Sequence, residues 1–165
     1  MKIIFTIIFV IVAGTLHPQD VKKIKITDLE KTMAESKTPL IVSFWATFCL
    51  PCLEEIPHLQ DVVKNYNATD SSTEDIQLLL VSLDLEEYYP KKLKDFARKR
   101  KFTASILWLD EFNADYFCPK VDSAWSGAIP ATLMINNKTG SRQFFEEQLS
   151  REKIETAILS LVIKN

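Results

Sequence analysis

Residues 40–45, Leu-Ile-Val-Ser-Phe-Trp, form an uncharged and almost wholly apolar run. Its length suits a β-strand, and its lack of polar/apolar alternation suits a strand covered on both faces. A chain that must hide both sides of a strand needs helices above and below a sheet, so this run points to an α/β architecture. With 165 residues, 47% of them hydrophobic and 25% charged, the chain has the make-up of one globular domain. A net charge of −2 gives little field to hold a polyanion, so nucleic acid is not expected as a partner.

The remaining sequence continues the alternation of strands and helices. A short strand is expected over 22–26, and Thr27-Asp28-Leu29-Glu30 has the form of a capping box that starts a helix at Thr27. Apolar positions Leu53, Ile56, Leu59, Val62, Val63 and Tyr66 recur at three and four, predicting a helix over 51–66. A polar loop over 67–75 then leads to a buried strand over 76–83. An amphipathic helix is expected over 89–100, its basic end (Arg98 to Lys101) complementing the helix dipole. A strand over 105–109 and a short helix over 111–117 follow. Segments 131–135 and 143–147 flank a turn containing Gly140 and read as an antiparallel hairpin, and Ser150 caps a closing helix over 151–162. The predicted order describes a mixed, mostly parallel central sheet with helices on both faces, ending in a β-hairpin plus helix.

Scarce residues narrow the chemistry. Three glycines, at 14, 127 and 140, cannot build a Walker loop, a G-x-G-x-x-G loop or a G-x-S-x-G elbow. Two histidines and three cysteines fall short of an H-E-x-x-H site or a four-thiolate site, so no metal is expected. The first residues, MKIIFTIIFVIVAGTLHPQD, place Lys2 before an apolar stretch that ends by Asp20. That stretch is short beside the roughly 20 apolar residues of a membrane-spanning helix and suits a signal peptide. Residues 1–19 are therefore expected to be a cleaved leader and 20–165 the mature domain. An uncleaved N-terminal anchor facing the same space is the alternative. Either way the domain is expected to be exported, into a compartment where disulfides persist.

Thiol chemistry is what remains. Cys49-Leu50-Pro51-Cys52 lies directly between the buried strand and the long helix. Two intervening residues at a helix start bring the sulfurs within bridging distance, and the first sits where free N–H groups and the dipole favour a thiolate. Cys49 is thus the expected attacking sulfur and Cys52, one turn in, the resolving one. A structural bridge is the first alternative, though so short a loop stabilises little. Half of a metal site, completed by Cys118 and His58, is the second. Glu55 follows Cys52 by three and shares its helical face, where a partly desolvated carboxyl can exchange a proton with Cys52. The plainer role for Glu54 and Glu55 is that of first-turn acids facing the dipole.

The segment Phe44 to Pro57 resembles the F-W-A-T-W-C-x-P-C-x-x-E-x-P signature of exported TlpA/ResA-like thiol-disulfide oxidoreductases of the thioredoxin superfamily. Phe48 replaces the second Trp, and Leu50 is the variable residue. Pro57 matches the proline that kinks the active-site helix, and Gly127-Ala128-Ile129-Pro130-Ala131-Thr132 is similar to the family's G-x-P-T segment. The resemblance implies a thioredoxin-like fold, a Cys49 nucleophile, a resolving Cys52 and a cis Pro130. It also implies that Ile129 offers its main chain to an extended substrate segment, and that a glutamate at position 55 works near the dithiol. The redox-active Cys49–Cys52 disulfide would be the only redox group, with no added cofactor. Protein disulfides of the bacterial periplasm would be reduced, and a membrane-embedded thiol electron donor would regenerate the dithiol. A disulfide oxidase or isomerase, a non-enzymatic binding module and a peroxidase are the alternatives; the C-x-x-C with its Pro57 argues against the last.

Other residues carry two readings each. Trp125, five before Pro130, either lines the substrate surface or packs. Cys118 is either a buried, inert thiol or a regulatory or intermolecular partner. Asn67-Ala68-Thr69 and Asn137-Lys138-Thr139 are formal glycosylation sequons.

Overall fold

The computed structural model describes residues 20–69 and 74–163; the expected leader, 1–19, lies outside them. The elements in chain order are β1 (Val21–Ile24), α1 (Ile26–Glu35), β2 (Leu40–Trp45), α2 (Leu50–Thr69), β3 (Gln77–Ser82), α3 (Lys91–Lys99), β4 (Ser105–Leu109), α4 (Ala114–Val121), β5 (Ala131–Asn136), β6 (Ser141–Phe145) and α5 (Arg151–Val162). Six strands form one sheet in the order β1-β4-β3-β2-β5-β6. The pairs β1·β4, β4·β3 and β3·β2 are parallel, whereas β5 runs antiparallel to β2 and β6 antiparallel to β5. This is the mixed, mostly parallel sheet expected from the alternation of strands and helices, and it is the thioredoxin-like arrangement that the motif resemblance implied.

Every residue of β2 is buried, as its unbroken apolar run requires. The pleat sends alternate side chains to opposite faces. Ile41 and Trp45 pack with Ile56 and Leu59 of α2, Leu93 of α3 and Ile158 of α5. Leu40, Val42 and Phe44 pack with Ile26 and Leu29 of α1 and Phe117 and Val121 of α4. Two apolar layers therefore clamp one sheet, and β2 contributes to both.

Several boundaries differ from the sequence reading. The capping box does not form: α1 starts at Ile26 behind Lys25, which makes no side-chain cap. The Lys25 carbonyl accepts from the N–H groups of Asp28 (3.1 Å) and Leu29 (3.0 Å), placing Ile26 and Leu29 in the core with no exposed surface. Burying Ile26 outweighs a cap at Thr27, and Glu30 pairs with Lys120 instead. Helix α2 runs on through Asn67 to Thr69, where a loop was expected. The Asn67 amide donates to the Ile76 carbonyl (3.0 Å) and accepts its N–H (2.9 Å), joining the helix end to the start of β3. The Asn137 amide donates to the carbonyls of Met33, Ala34 and Ser36 and so satisfies the end of α1. A 3₁₀ turn, Glu86–Tyr88, and a cis Tyr89–Pro90 bond precede α3, which begins two residues later than expected. Helix α4 lies three to four residues beyond its predicted place, because Phe117, Cys118 and Val121 form its buried face. Ser150 caps α5 as anticipated, accepting from the Lys153 N–H.

Ile56 has no exposed surface and lies on the face of α2 that rests on β2. Replacing it with Ala should lower the free energy of unfolding by about 2–5 kcal/mol. Urea titration checks this; a loss of a few tenths would mean that α2 is not held by this packing.

Candidate active site at the carboxyl edge of the sheet

The parallel strands β1 to β4 end at the same edge, and β2 is the switch point between its parallel neighbour β3 and antiparallel β5. Chain leaving β2 at Trp45 turns through 46–48, with the Cys49 N–H donating to the Ala46 carbonyl at 3.1 Å. Helix α2 then begins at Leu50, and the Leu53 N–H donates to the Cys49 carbonyl at 3.1 Å. Cys49 thus occupies the capping position, where helix N–H groups have no carbonyl partner of their own. One of them, from Cys52, donates to Cys49 Sγ at 3.3 Å. The sulfurs of Cys49 and Cys52 are joined as a disulfide, with Cα atoms 5.3 Å apart. Cys49 keeps 7% of its surface and Cys52 only 1%, so an incoming thiol reaches Cys49 first. Phe48 and Leu50, on either side of Cys49, are exposed.

Asp84, which the sequence reading did not single out, anchors this turn from the end of β3. Its carboxylate is buried and accepts from the Thr47 N–H (3.1 Å to each oxygen), the Thr47 hydroxyl (2.5 Å) and the Ser82 hydroxyl (2.8 Å). The Asp84 carbonyl accepts from Trp108 Nε1 at 2.7 Å. The turn two residues before Cys49 is therefore fixed by side chains of neighbouring strands. A signal was available: Asp84 is the one charged residue at the end of the apolar 76–83 run, at the edge where α/β proteins build their sites.

The second arm of the site comes from β5. Ala131 pairs with Phe44, so Pro130 lies beside the end of β2. The Ile129–Pro130 bond is cis. Ile129 is half-buried, and neither its N–H nor its carbonyl has a hydrogen-bond partner among the described residues. Trp125 does not line an open surface. It is buried against Phe44 (4.5 Å between ring centroids), Phe117 (5.6 Å) and Phe144 (6.2 Å), and its Nε1 donates to the Ala128 carbonyl at 2.8 Å. The aromatic cluster on the α1/α4 face offers a large ring more apolar area than the loop does, so Trp125 props the cis-proline loop from beneath.

Glu55 is fully buried on α2, one turn after Cys52. Its Oε1 accepts from the Thr132 hydroxyl (3.1 Å) and its Oε2 from the Leu149 N–H (2.7 Å), so it bridges the dithiol helix and the segment after Pro130. Burial raises its pKa above the ordinary value, and these two donors only partly oppose the shift. Glu54 is exposed and pairs with Gln148. Cys118 is buried, and desolvation, followed by the charges of Glu146 and Asp115, pushes its thiol up to about 11. Burial and the raised pKa both disfavour its thiolate.

Residues 12–140 match the model of the AhpC/TSA family. The Thioredoxin-like protein YneN of Bacillus subtilis (strain 168) is 29% identical over 96 residues, covering 52% of each chain; this protein thus spans about half the length of that relative. Among solved structures, StoA from Bacillus subtilis aligns with a TM-score of 0.54 at 21% identity, covering 75% of this chain and 84% of StoA. A secreted Mycobacterium tuberculosis disulfide oxidoreductase gives 0.55 at 16% identity, covering 76% and 84%. A thiol:disulfide interchange protein from Chlorobium tepidum gives 0.59 at 14%, covering 81% and 84%. These likenesses establish the thioredoxin-like fold around the C-x-x-C pair, and the family match over most of its length makes the chain a member of the AhpC/TSA family.

Proposed function

We propose that this protein is an exported thiol-disulfide oxidoreductase that reduces disulfides in other proteins. The observation that carries the reading is the juxtaposition at one sheet edge of the Cys49–Cys52 pair, at the start of α2, and the Ile129 main chain before cis Pro130, which has no hydrogen-bond partner among the described residues. An extended substrate segment can hydrogen-bond to Ile129 as a short added strand while its disulfide meets Cys49. In the reduced enzyme the Cys49 thiolate attacks one sulfur of the target disulfide. An enzyme–target bond forms, and the other target sulfur leaves as a thiolate. Cys52 then gives up its proton and attacks Cys49, which closes the enzyme disulfide and releases the second target thiol. Two electrons pass from the enzyme dithiol to the target. Glu55, one turn from Cys52 and held between Thr132 and Leu149, is the group suited to take the Cys52 proton.

Regeneration of the dithiol calls for a thiol donor, and an exported reductase would draw on one embedded in the membrane. Export is supported by the charged-then-apolar character of residues 1–19, and the secreted Mycobacterium tuberculosis oxidoreductase of the same fold is consistent with it.

The direction of electron flow is tested by the equilibrium potential of the dithiol against glutathione, measured on residues 20–165. A value near −270 mV, as in thioredoxin, or somewhat above it is expected; one near −120 mV would make the protein a disulfide donor instead. Cys49→Ser should abolish reduction of a disulfide peptide. Turnover that survives this change, or catalytic consumption of a hydroperoxide by the wild type, would refute the mechanism.

Glu55 also sets a pH dependence. Its folded pKa is raised, so the folded chain binds the proton more tightly than the unfolded one, and stability falls as pH rises. The loss begins near 4.5, the ordinary glutamate value, and is complete above the raised folded value. Glu55→Gln keeps an acceptor for Leu149 and removes the titration. Its stability relative to wild type should therefore increase across that window, and an unchanged difference between about pH 4 and pH 8 in urea titrations would show that Glu55 is not the titrating group.

A further inference from the structure

The loop carrying the cis peptide is held by a carboxylate outside every motif noted above. Glu146 follows β6 directly, one residue past the last ladder pair, Thr132↔Phe145. Its Oε1 accepts from the N–H groups of Ser126 and Ala128, each at 3.0 Å, and from the Ser126 hydroxyl; its Oε2 accepts from the Ser126 N–H at 3.2 Å. Gly127, between those donors, has φ +99°, a left-handed conformation that lets successive N–H groups converge on one anion. The Ser126 hydroxyl first, then the N–H groups of Ser126, Ala128 and Gly127, hold the Glu146 carboxyl below the ordinary glutamate range.

Trp125 closes the same loop from the other side by donating to the Ala128 carbonyl. Both main-chain groups of Ala128 are therefore engaged, and Ile129 is the next residue with both of its own open among the described residues. The loop has two anchors, one buried and aromatic, the other half-exposed and anionic.

We infer that Glu146 is a positioning residue for substrate recognition. By seating residues 126–128 it holds the Ile129 N–H and carbonyl in the orientation an extended, disulfide-bearing segment needs in order to pair with them. The inference rests on the exchange reading above and adds to it the group that sets the Ile129 main chain for pairing. It places the role of Glu146 in binding, separate from the sulfur chemistry.

The test uses reduced protein and a peptide with an intramolecular disulfide, comparing wild type, E146Q and E146A. Losing these hydrogen bonds in E146A should raise KM about tenfold and change kcat less than about twofold, since one net hydrogen bond accounts for several-fold in an equilibrium. E146Q retains an acceptor in the position of Oε1, which makes most of the contacts, and should fall between the two. The equilibrium constant of the dithiol against glutathione should change less than about twofold in both variants, which separates positioning from an effect on the cysteines. Faster hydrogen exchange at the Ala128 amide in E146A would report the released loop directly. An unchanged KM in a folded E146A overturns the positioning role and leaves the exchange reading intact. A fall in kcat and thermal stability with KM unchanged overturns the positioning role and assigns Glu146 a structural one. Absence of peptide reduction by the wild type overturns both readings.

Discussion

A strand buried on both faces has to bring its chain back to solvent at its ends, and the carboxyl end of β2 is where this protein places its sulfurs. Helices on both sides cover Leu40 to Trp45, and the strand on each flank fixes its register. The chain then leaves the sheet at a set point and in a set direction. The start of α2 follows within a few residues, so the unpaired N–H groups of a helix N-terminus meet Cys49 without any dedicated binding loop. The thiol environment is a consequence of the layer architecture. Packing on α2 and β2 holds it in place.

Around that point the site is assembled from groups distant in sequence. Asp84 reaches Thr47 across 37 positions, Glu55 reaches Leu149 across 94, and Thr132 reaches Glu55 across 77. Each link ties the dithiol turn or its helix to a different part of the fold. The carboxyl groups that enter the interior there are matched by donors, which is the condition for keeping them buried, whereas the buried Trp45 Nε1 has no partner among the described residues. Burial raises the pKa of Glu55, and its two donors only partly oppose that shift.

The division between what could be read from the sequence and what could not follows from this. The covered strand, the periodic helix after it, the C-x-x-C at their junction, the hairpin and the Ser150 cap are local patterns and were legible. Pro130 was legible through a motif. Asp84 left only a faint signal, its place at the end of the 76–83 run, and Trp125 stood with two readings, of which the structure shows packing; Glu146 left none, because its role depends on partners that the fold alone brings near. The start of α1 shows the same limit on a smaller scale. Thr27-Asp28-Leu29-Glu30 has the composition of a cap, yet the gain from sinking Ile26 into the core moves the helix start ahead of it. Local capping is worth about 1 kcal/mol, and complete burial of an isoleucine more.

The two sequon asparagines show a further side of this assembly. A glycan is attached through the side-chain nitrogen and removes one of its two hydrogens. Asn137 uses that nitrogen to serve three carbonyls at the end of α1, and Asn67 uses its own to fasten the end of α2 to Ile76. A sugar on either residue would have to be added to the nascent chain, before these contacts exist, and would then compete with them. In the folded domain both amide nitrogens are already committed to helix ends, so a sugar at either position would take away a hydrogen that these contacts use.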